Sequence, residues 1–160
     1  MKVLECSSRG DKRFSAFYAK VEIFGKKASI EEHYQFSKLF PVEDNYGNVR
    51  LESYNDIKLI KRKQRFGEEP VRFRVAKFDY PAEYLTMYYK LLWLTYLDEK
   101  PYLVRYASKF DDFSDMFRGK NTMNCQADVI KQYVKEGRDS ILDECEPFIR
   151  ILERDLEELE

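Results

Sequence analysis

The sequence predicts a mainly α-helical α+β fold: a multihelical single domain spanning residues 1–160, with a small β-sheet near the N-terminus. Three observations predict it. Apolar residues recur at helical spacing through residues 82–98, 124–136 and 139–158. Period-two alternation is confined to residues 17–24 and 71–75. The length of 160 residues is close to that of one compact domain, and 44% hydrophobic residues suffice for one core.

The elements follow in order. Residues 2–5 begin a short apolar stretch, and Ser7–Asp11 is a loop. Phe17 to Phe24 alternates as a strand that ends at Gly25-Lys26-Lys27. Ser29, with Glu32 three residues on, forms a capping box that starts a helix running to about Phe40, ahead of Pro41. A polar loop at Asp44–Asn48, a short helix from Ser53 to Lys63 and a turn at Gly67–Pro70 come next. Val71–Val75 reads as a strand with basic residues on one face. Pro81 takes the first position of the long aromatic helix Ala82–Asp98, whose apolar residues cover most of its surface and mark it as the buried centre. Pro101 opens another helix to about Lys109. Asp111–Gly119 reads as an acidic-aromatic turn or short helix, and Gly119–Asn121 as a loop. The last two helices, 124–136 and 139–158, meet at Gly137, with Pro147 inside the second.

Composition narrows the chemistry. With 28 basic and 29 acidic residues the net charge is -1, without the basic excess of a protein whose main task is coating nucleic-acid backbone. A local basic patch keeps nucleic acid among the candidate substrates. Cys6, Cys125 and Cys145 are odd in number and widely spaced, which argues against a disulfide framework or a zinc ribbon. Tyr84–Leu97, the longest apolar-rich stretch, is broken by Lys90 and too short to span a bilayer, and charge precedes any apolar run at the start. No membrane partner is expected, and the cytoplasm is the natural compartment. His33, the single histidine, is expected to face solvent or cap locally, and a His-rich metal centre cannot be built on it. No metal and no cofactor are therefore expected, and catalysis falls to carboxylates, Lys, Tyr or Cys.

Glu31, Gln35 and Lys38 lie at i, i+4 and i+7, which places them on one stripe of the first helix. Glu32 is used by the capping box, which leaves Glu31 as the carboxylate available for chemistry. On spacing alone the stripe reads first as a solvated face with polar contacts. The flanking residues change that weighting. Phe14-Ser15-Ala16-Phe17-Tyr18, then Val21-Glu22-Ile23-Phe24-Gly25-Lys26, then Ser29-Ile30-Glu31 with Gln35 and Lys38 resembles the opening of the NADAR family. That family shows an (L/F)SNFY element, a short strand ending in Gly-Lys, and a Ser-x-Glu helix start with Gln four and Lys seven residues after the Glu. The family's Asn in the first element is Ala16 here. Downstream of residue 38 the similarity is one of element order: Tyr96–Leu103 keeps a Pro-containing segment without the family's Lys-Phe pair. Asp111, Asp112 and Asp115 precede Gly119 and Asn121 or Asn124 without the family's Trp.

The resemblance implies a pocket for ADP-ribose, an NAD-type nucleotide or an ADP-ribosylated nucleobase and, in several members, cleavage of an N-glycosidic bond. Such cleavage passes through an oxocarbenium-like state that a carboxylate stabilises without a metal. Glu31 would supply that carboxylate or activate water, with Asp112 or Asp115 as a second acid. Arg9, Lys12, Arg13 and Lys38 would receive phosphates, Phe17, Tyr18 or Trp93 would stack on a ring, and Gln35 and Asn124 would contact ligand. Plainer readings stand beside these. Trp93 fits a core position, Arg9, Lys12 and Arg13 an exposed loop, the 111–115 aspartates a helix N-terminal charge cluster, and Cys125 a small buried residue. A binding module without turnover, or an interaction protein that has lost the pocket, are the alternative functions.

Overall fold

A computed structural model describes residues 1–115 and 125–159. The fold is α+β, with 50% of the described residues helical and 21% in strands. No helix among the described residues is long and apolar enough to cross a membrane. Tertiary contacts divide the chain into two compact units, residues 1–30 with 86–160, and residues 31–85.

The first unit opens with β1 (Val3–Glu5), which pairs in parallel with β8 (Asp112–Ser114), Leu4 opposite Phe113. Both of those side chains are buried, and their neighbours along each strand are not. Asp112–Ser114 is thus a strand within the segment Asp111–Gly119, where a turn or short helix was expected, and residues 116–119 lie outside the described residues. A single buried aromatic between polar residues satisfies a period of two, and the partner strand lies 109 residues away in sequence. A loop with a 3-10 turn at Lys12–Phe14 leads to the hairpin of β2 (Lys20–Ile23) and β3 (Lys26–Ser29). Phe24 and Gly25 both take positive φ, as a tight hairpin turn requires. The strand predicted from Phe17 starts later, because the Ser15 carbonyl accepts from the Tyr18 and Ala19 amides and closes a turn there.

The rest of this unit is helical: α3 (Leu85–Asp98), α4 (Pro101–Ala107), α5 (Gln126–Glu136) and α6 (Arg138–Glu157). Leu92, Trp93 and Leu97 are fully buried, so α3 is the central helix and Trp93 is core, out of reach of a stacking ligand. Phe148 of α6 meets the edge of Tyr88 with ring centroids 6.3 Å apart. Gly137, at φ +97°, separates α5 from α6 where the sequence placed the break. Arg138 just beyond it donates from Nε and Nη2 to Asp98 at the end of α3 (3.1 and 2.7 Å).

The second unit is a four-stranded antiparallel sheet with two α-helices. α1 (Ile30–Ser37) leads into β4 (Lys38–Glu43), followed by β5 (Val49–Glu52), α2 (Ile57–Arg65), β6 (Arg72–Val75) and β7 (Phe78–Pro81), in the sheet order β5-β4-β6-β7. Asp44 folds the β4–β5 turn by accepting from the Tyr46 and Asn48 amides. Asp56 caps α2 through the Leu59 amide, which is why the helix starts at Ile57 and not at Ser53. Leu39, Phe40, Ile60, Phe73 and Tyr80 are buried.

Four expectations are corrected here. The first helix ends at Ser37 and not near Phe40, because Pro41 cannot continue a helix and biases Phe40 to extended backbone. Pro81 closes β7, and a 3-10 turn at Ala82–Tyr84 precedes α3. The 17–24 and 71–78 segments fall in separate sheets, the largest built from residues 38–81. His33 is 8% exposed, so it does not face solvent.

Gly10 has a steric reason to be glycine. An added Cβ would lie 2.4 Å from the Glu5 carbonyl oxygen. Gly10→Ala is expected to destabilise the protein by about 1–3 kcal/mol, as overpacking against backbone does. A thermal denaturation midpoint equal to that of the wild type would contradict this.

Candidate active site

In residues 31–85 the stripe read from the sequence forms a buried polar cluster. Glu31, Gln35 and Lys38 are 8%, 6% and 3% exposed. The four-residue spacing of α1 brings Gln35 under Glu31, and the Gln35 side-chain amide donates to Glu31 Oε1 at 2.9 Å. Lys38 belongs to the strand, not to the helical stripe. It sits on the first residue of β4 and reaches α2, where its Nζ donates to Gln64 Oε1 at 2.7 Å. Gln64 in turn donates to Glu69 at 3.1 Å. Lys61, three residues before Gln64 on α2, places its ammonium 3.3 Å from Glu31 Oε1. Tyr34 lies beneath Lys38, with its ring centroid 4.5 Å from Nζ.

Two features mark this cluster as more than packing. Donation to Glu31 fixes the Gln35 amide so that its Oε1 faces inward, buried and without a hydrogen-bond donor among the described residues. Burial also pushes the Lys38 amine down to about 8. Glu31 and Glu69 pull it upward and Lys61 pushes it further down, but desolvation outweighs them all. An amine near neutrality beside a carboxylate in a buried setting is an arrangement that proton transfer and anion binding both use.

The remaining predicted residues belong to the other unit. Arg9 is exposed. Arg13 is held by Asp11, from Nε at 3.0 Å and Nη2 at 2.7 Å, and lies 4.6 Å over the Tyr106 ring. That hydrogen-bonded pairing holds the Asp11 carboxyl below its ordinary range. Lys12 lies over the Tyr18 ring at 4.9 Å. Phe17 and Tyr18 are about half exposed. Asp112 is ion-paired with Lys131 at 3.0 Å, and Asp115 faces the Cys125 thiol. Asp112 lies in a strand and so not in the first turn of a helix. Asn124 lies outside the described residues, as does the 119–121 loop.

Sequence reasoning missed Lys61 and Gln64, which the fold brings to Glu31 and Lys38 from about 26–30 residues away. It also missed Gln126, 6% exposed, whose Oε1 accepts from the Ala16 amide and whose Nε2 donates to the Cys6 carbonyl, both at 2.6 Å. No local periodicity announces either contact.

A family model described as DarT1-associated NADAR antitoxin matches residues 1–158. The chain belongs to this family. The match extends the NADAR resemblance from the first third to nearly the whole chain. No curated protein matches it. The Glu31–Gln35–Lys38 cluster thus lies in a chain of the NADAR family, at the Ser-x-Glu helix start that carried the resemblance.

The depressed Lys38 value has a testable consequence. The unfolded chain holds this proton up to about 10.5, the folded one only to about 8, so burial of the ammonium opposes folding below pH 8. That penalty fades as pH rises from 8 to 10.5. Lys38→Met is therefore expected to be more stable than wild type at pH 7 in chemical denaturation, with the difference shrinking toward pH 10. Lower stability at pH 7 would rank the Gln64 and Tyr34 contacts above desolvation.

Proposed function

We propose that this NADAR antitoxin is an N-glycoside hydrolase that removes an ADP-ribosyl or ribosyl-phosphate group from a modified nucleobase or nucleotide, reversing a toxin's modification. The observation that carries the reading is the buried Glu31 carboxylate, oriented by Gln35 and Lys61 through Oε1 and set beside Lys38.

In this reaction the C1′–N bond breaks with its electron pair leaving on the base nitrogen, which takes up a proton. Water adds its oxygen to C1′ and releases a proton. Positive charge develops at C1′ and on the ring oxygen, where a preorientated carboxylate in a water-poor setting stabilises it strongly. Glu31 supplies that charge or takes the proton from water. Lys38 and Lys61 offer cations to the diphosphate. In the other unit, Phe17 and Tyr18 are exposed rings and Arg9 and Lys12 exposed cations, side chains of the kinds that bind a base or a phosphate. The proton that water releases balances the one that the leaving nitrogen takes up. ADP-ribose or an NAD-type nucleotide is the partner that this chemistry fits.

A binding module without turnover is the second reading. Glu31 Oε1 already carries two donors, as a carboxylate used for contacts would.

Mass spectrometry decides between them. Wild type and Glu31→Gln are incubated with NAD, ADP-ribose, and guanosine ADP-ribosylated as nucleoside and within an oligonucleotide. The hydrolase reading expects release of free ADP-ribose by wild type and at least a ~100-fold slower release by the variant, the scale of losing one electrostatic stabiliser. Full activity in Glu31→Gln would end the assignment of Glu31. Tight retention of unchanged ligand by wild type would make the protein a binding module.

A further inference from the structure

Of the outer face of α2 the proposed chemistry uses Lys61 alone. The helix sequence Ile57–Arg65 carries five basic residues and no acidic one. Four of them, Lys58, Lys61, Arg62 and Arg65, fall at i, i+3, i+4 and i+7, and all four are exposed. That spacing is one continuous stripe on a helix. Ile60 on the opposite face is fully buried, which fixes how the helix is turned. Lys63, off the stripe, is neutralised by Glu68 at 3.7 Å. Lys58, Arg62 and Arg65 have no carboxylate within ion-pair distance among the described residues, and Asp56 at the cap is engaged by the Leu59 amide. Phe66 follows immediately, 76% exposed. Lys61 joins the stripe to the site, through its contact with Glu31.

From this arrangement we infer that the outer face of α2 is a docking rail for the phosphates of a single-stranded nucleic acid, with Lys61 placing the nearest phosphate beside Glu31 and Phe66 offering its ring to a flanking base. The inference rests on the hydrolase reading for its substrate but not for its test. The stripe is about 10 Å long at 1.5 Å per residue, enough to meet more than one phosphate of an extended strand. A protein partner would be expected to meet an apolar centre ringed by charge. This face offers one exposed ring at the end of a row of cations, the pattern of a backbone-tracking groove with a stacking platform. A duplex would hide the base faces that Phe66 can reach, and a base undergoing chemistry must in any case leave the stack.

The test is fluorescence anisotropy of a labelled, unmodified single-stranded oligodeoxynucleotide titrated with the protein over a range of salt. Such a strand has no bond to cleave, so the reading is independent of Glu31 chemistry. Wild type is expected to bind at low salt, with affinity falling as salt rises. Lys58→Gln/Arg62→Gln/Arg65→Gln changes only exposed side chains, and circular dichroism checks its fold. It is expected to bind at least ~10-fold more weakly, with a log–log salt slope smaller by about 2, at about 0.7 per phosphate contact. Phe66→Ala is expected to weaken binding without changing that slope, because stacking releases no counterions. Absence of binding by wild type at low salt would overturn the inference, as would equal affinity and slope in the triple variant. Loss in the triple variant of binding to an acidic protein, with oligonucleotide binding intact, would overturn it in favour of a protein dock. If wild type binds the strand through the stripe but releases no ADP-ribose, the rail stands and the hydrolase reading falls.

Discussion

Burying the ammonium of Lys38 constrains the arrangement of residues 31–85. A cation with 3% of its surface exposed needs acceptors in place of water, and α2 supplies the principal one through Gln64. Gln64 can serve only if α2 holds its rotation, which the Asp56 cap and buried Ile60 secure. Glu69 then orients Gln64 from the chain beyond the helix, and the face of Tyr34 covers another side of the ammonium. These contacts do not fully replace water, since Lys38 is still displaced well below its ordinary value. A core built only for stability would use an apolar residue here. Retaining a poorly compensated cation next to a buried carboxylate fits a site whose polar groups await a partner. The donorless Oε1 of Gln35 points the same way.

What the sequence made legible was what depends on neighbours along the chain. Glu31 and Gln35 meet because four residues make about one helical turn, and the helices around Gly137 were visible because glycine tolerates the positive φ that separates them. Lys38 was read onto the helical stripe but enters from a strand, since Pro41 ends the helical option. The Asp112–Ser114 strand was missed because its partner among the described residues is at the other end of the chain, and three residues carry too short a pattern to decide between helix and strand. Lys61, Gln64 and Gln126 were missed for the same physical cause, as side-chain contacts across loops leave no periodic trace.

The loop of residues 6–19 illustrates how a motif position can change while its support persists. The family's Asn is Ala16 here, yet the anchor of this position is its backbone amide, taken by Gln126. Gln126 also holds the Cys6 carbonyl, and the Tyr96 hydroxyl donates to the Arg13 carbonyl at 2.7 Å. Three main-chain groups are thus fixed from helices α3 and α5, which leaves Phe17 and Tyr18 outside, about half exposed on a tethered backbone. Rings held out at a rigid backbone lose little freedom when they bind, which is how loops on a firm scaffold come to carry recognition.

Net charge conceals the local electrostatics of this protein. A total of -1 argues against a nucleic-acid coat, but the total averages over distances larger than the screening length of about 8–10 Å. A phosphate approaching α2 responds to the charges within that length, and on the exposed stripe these are Lys58, Arg62 and Arg65, with Lys61 shared with Glu31. Acidic residues elsewhere balance the sum without cancelling the stripe. The same locality explains why Lys61 matters beyond its charge. It is one of four similar side chains on the surface, but the only one of the stripe in contact with Glu31 among the described residues. A polyanion that recruits Lys61 competes with Glu31 for its ammonium, so occupation of the stripe and the charge environment of the carboxylate are coupled through one side chain.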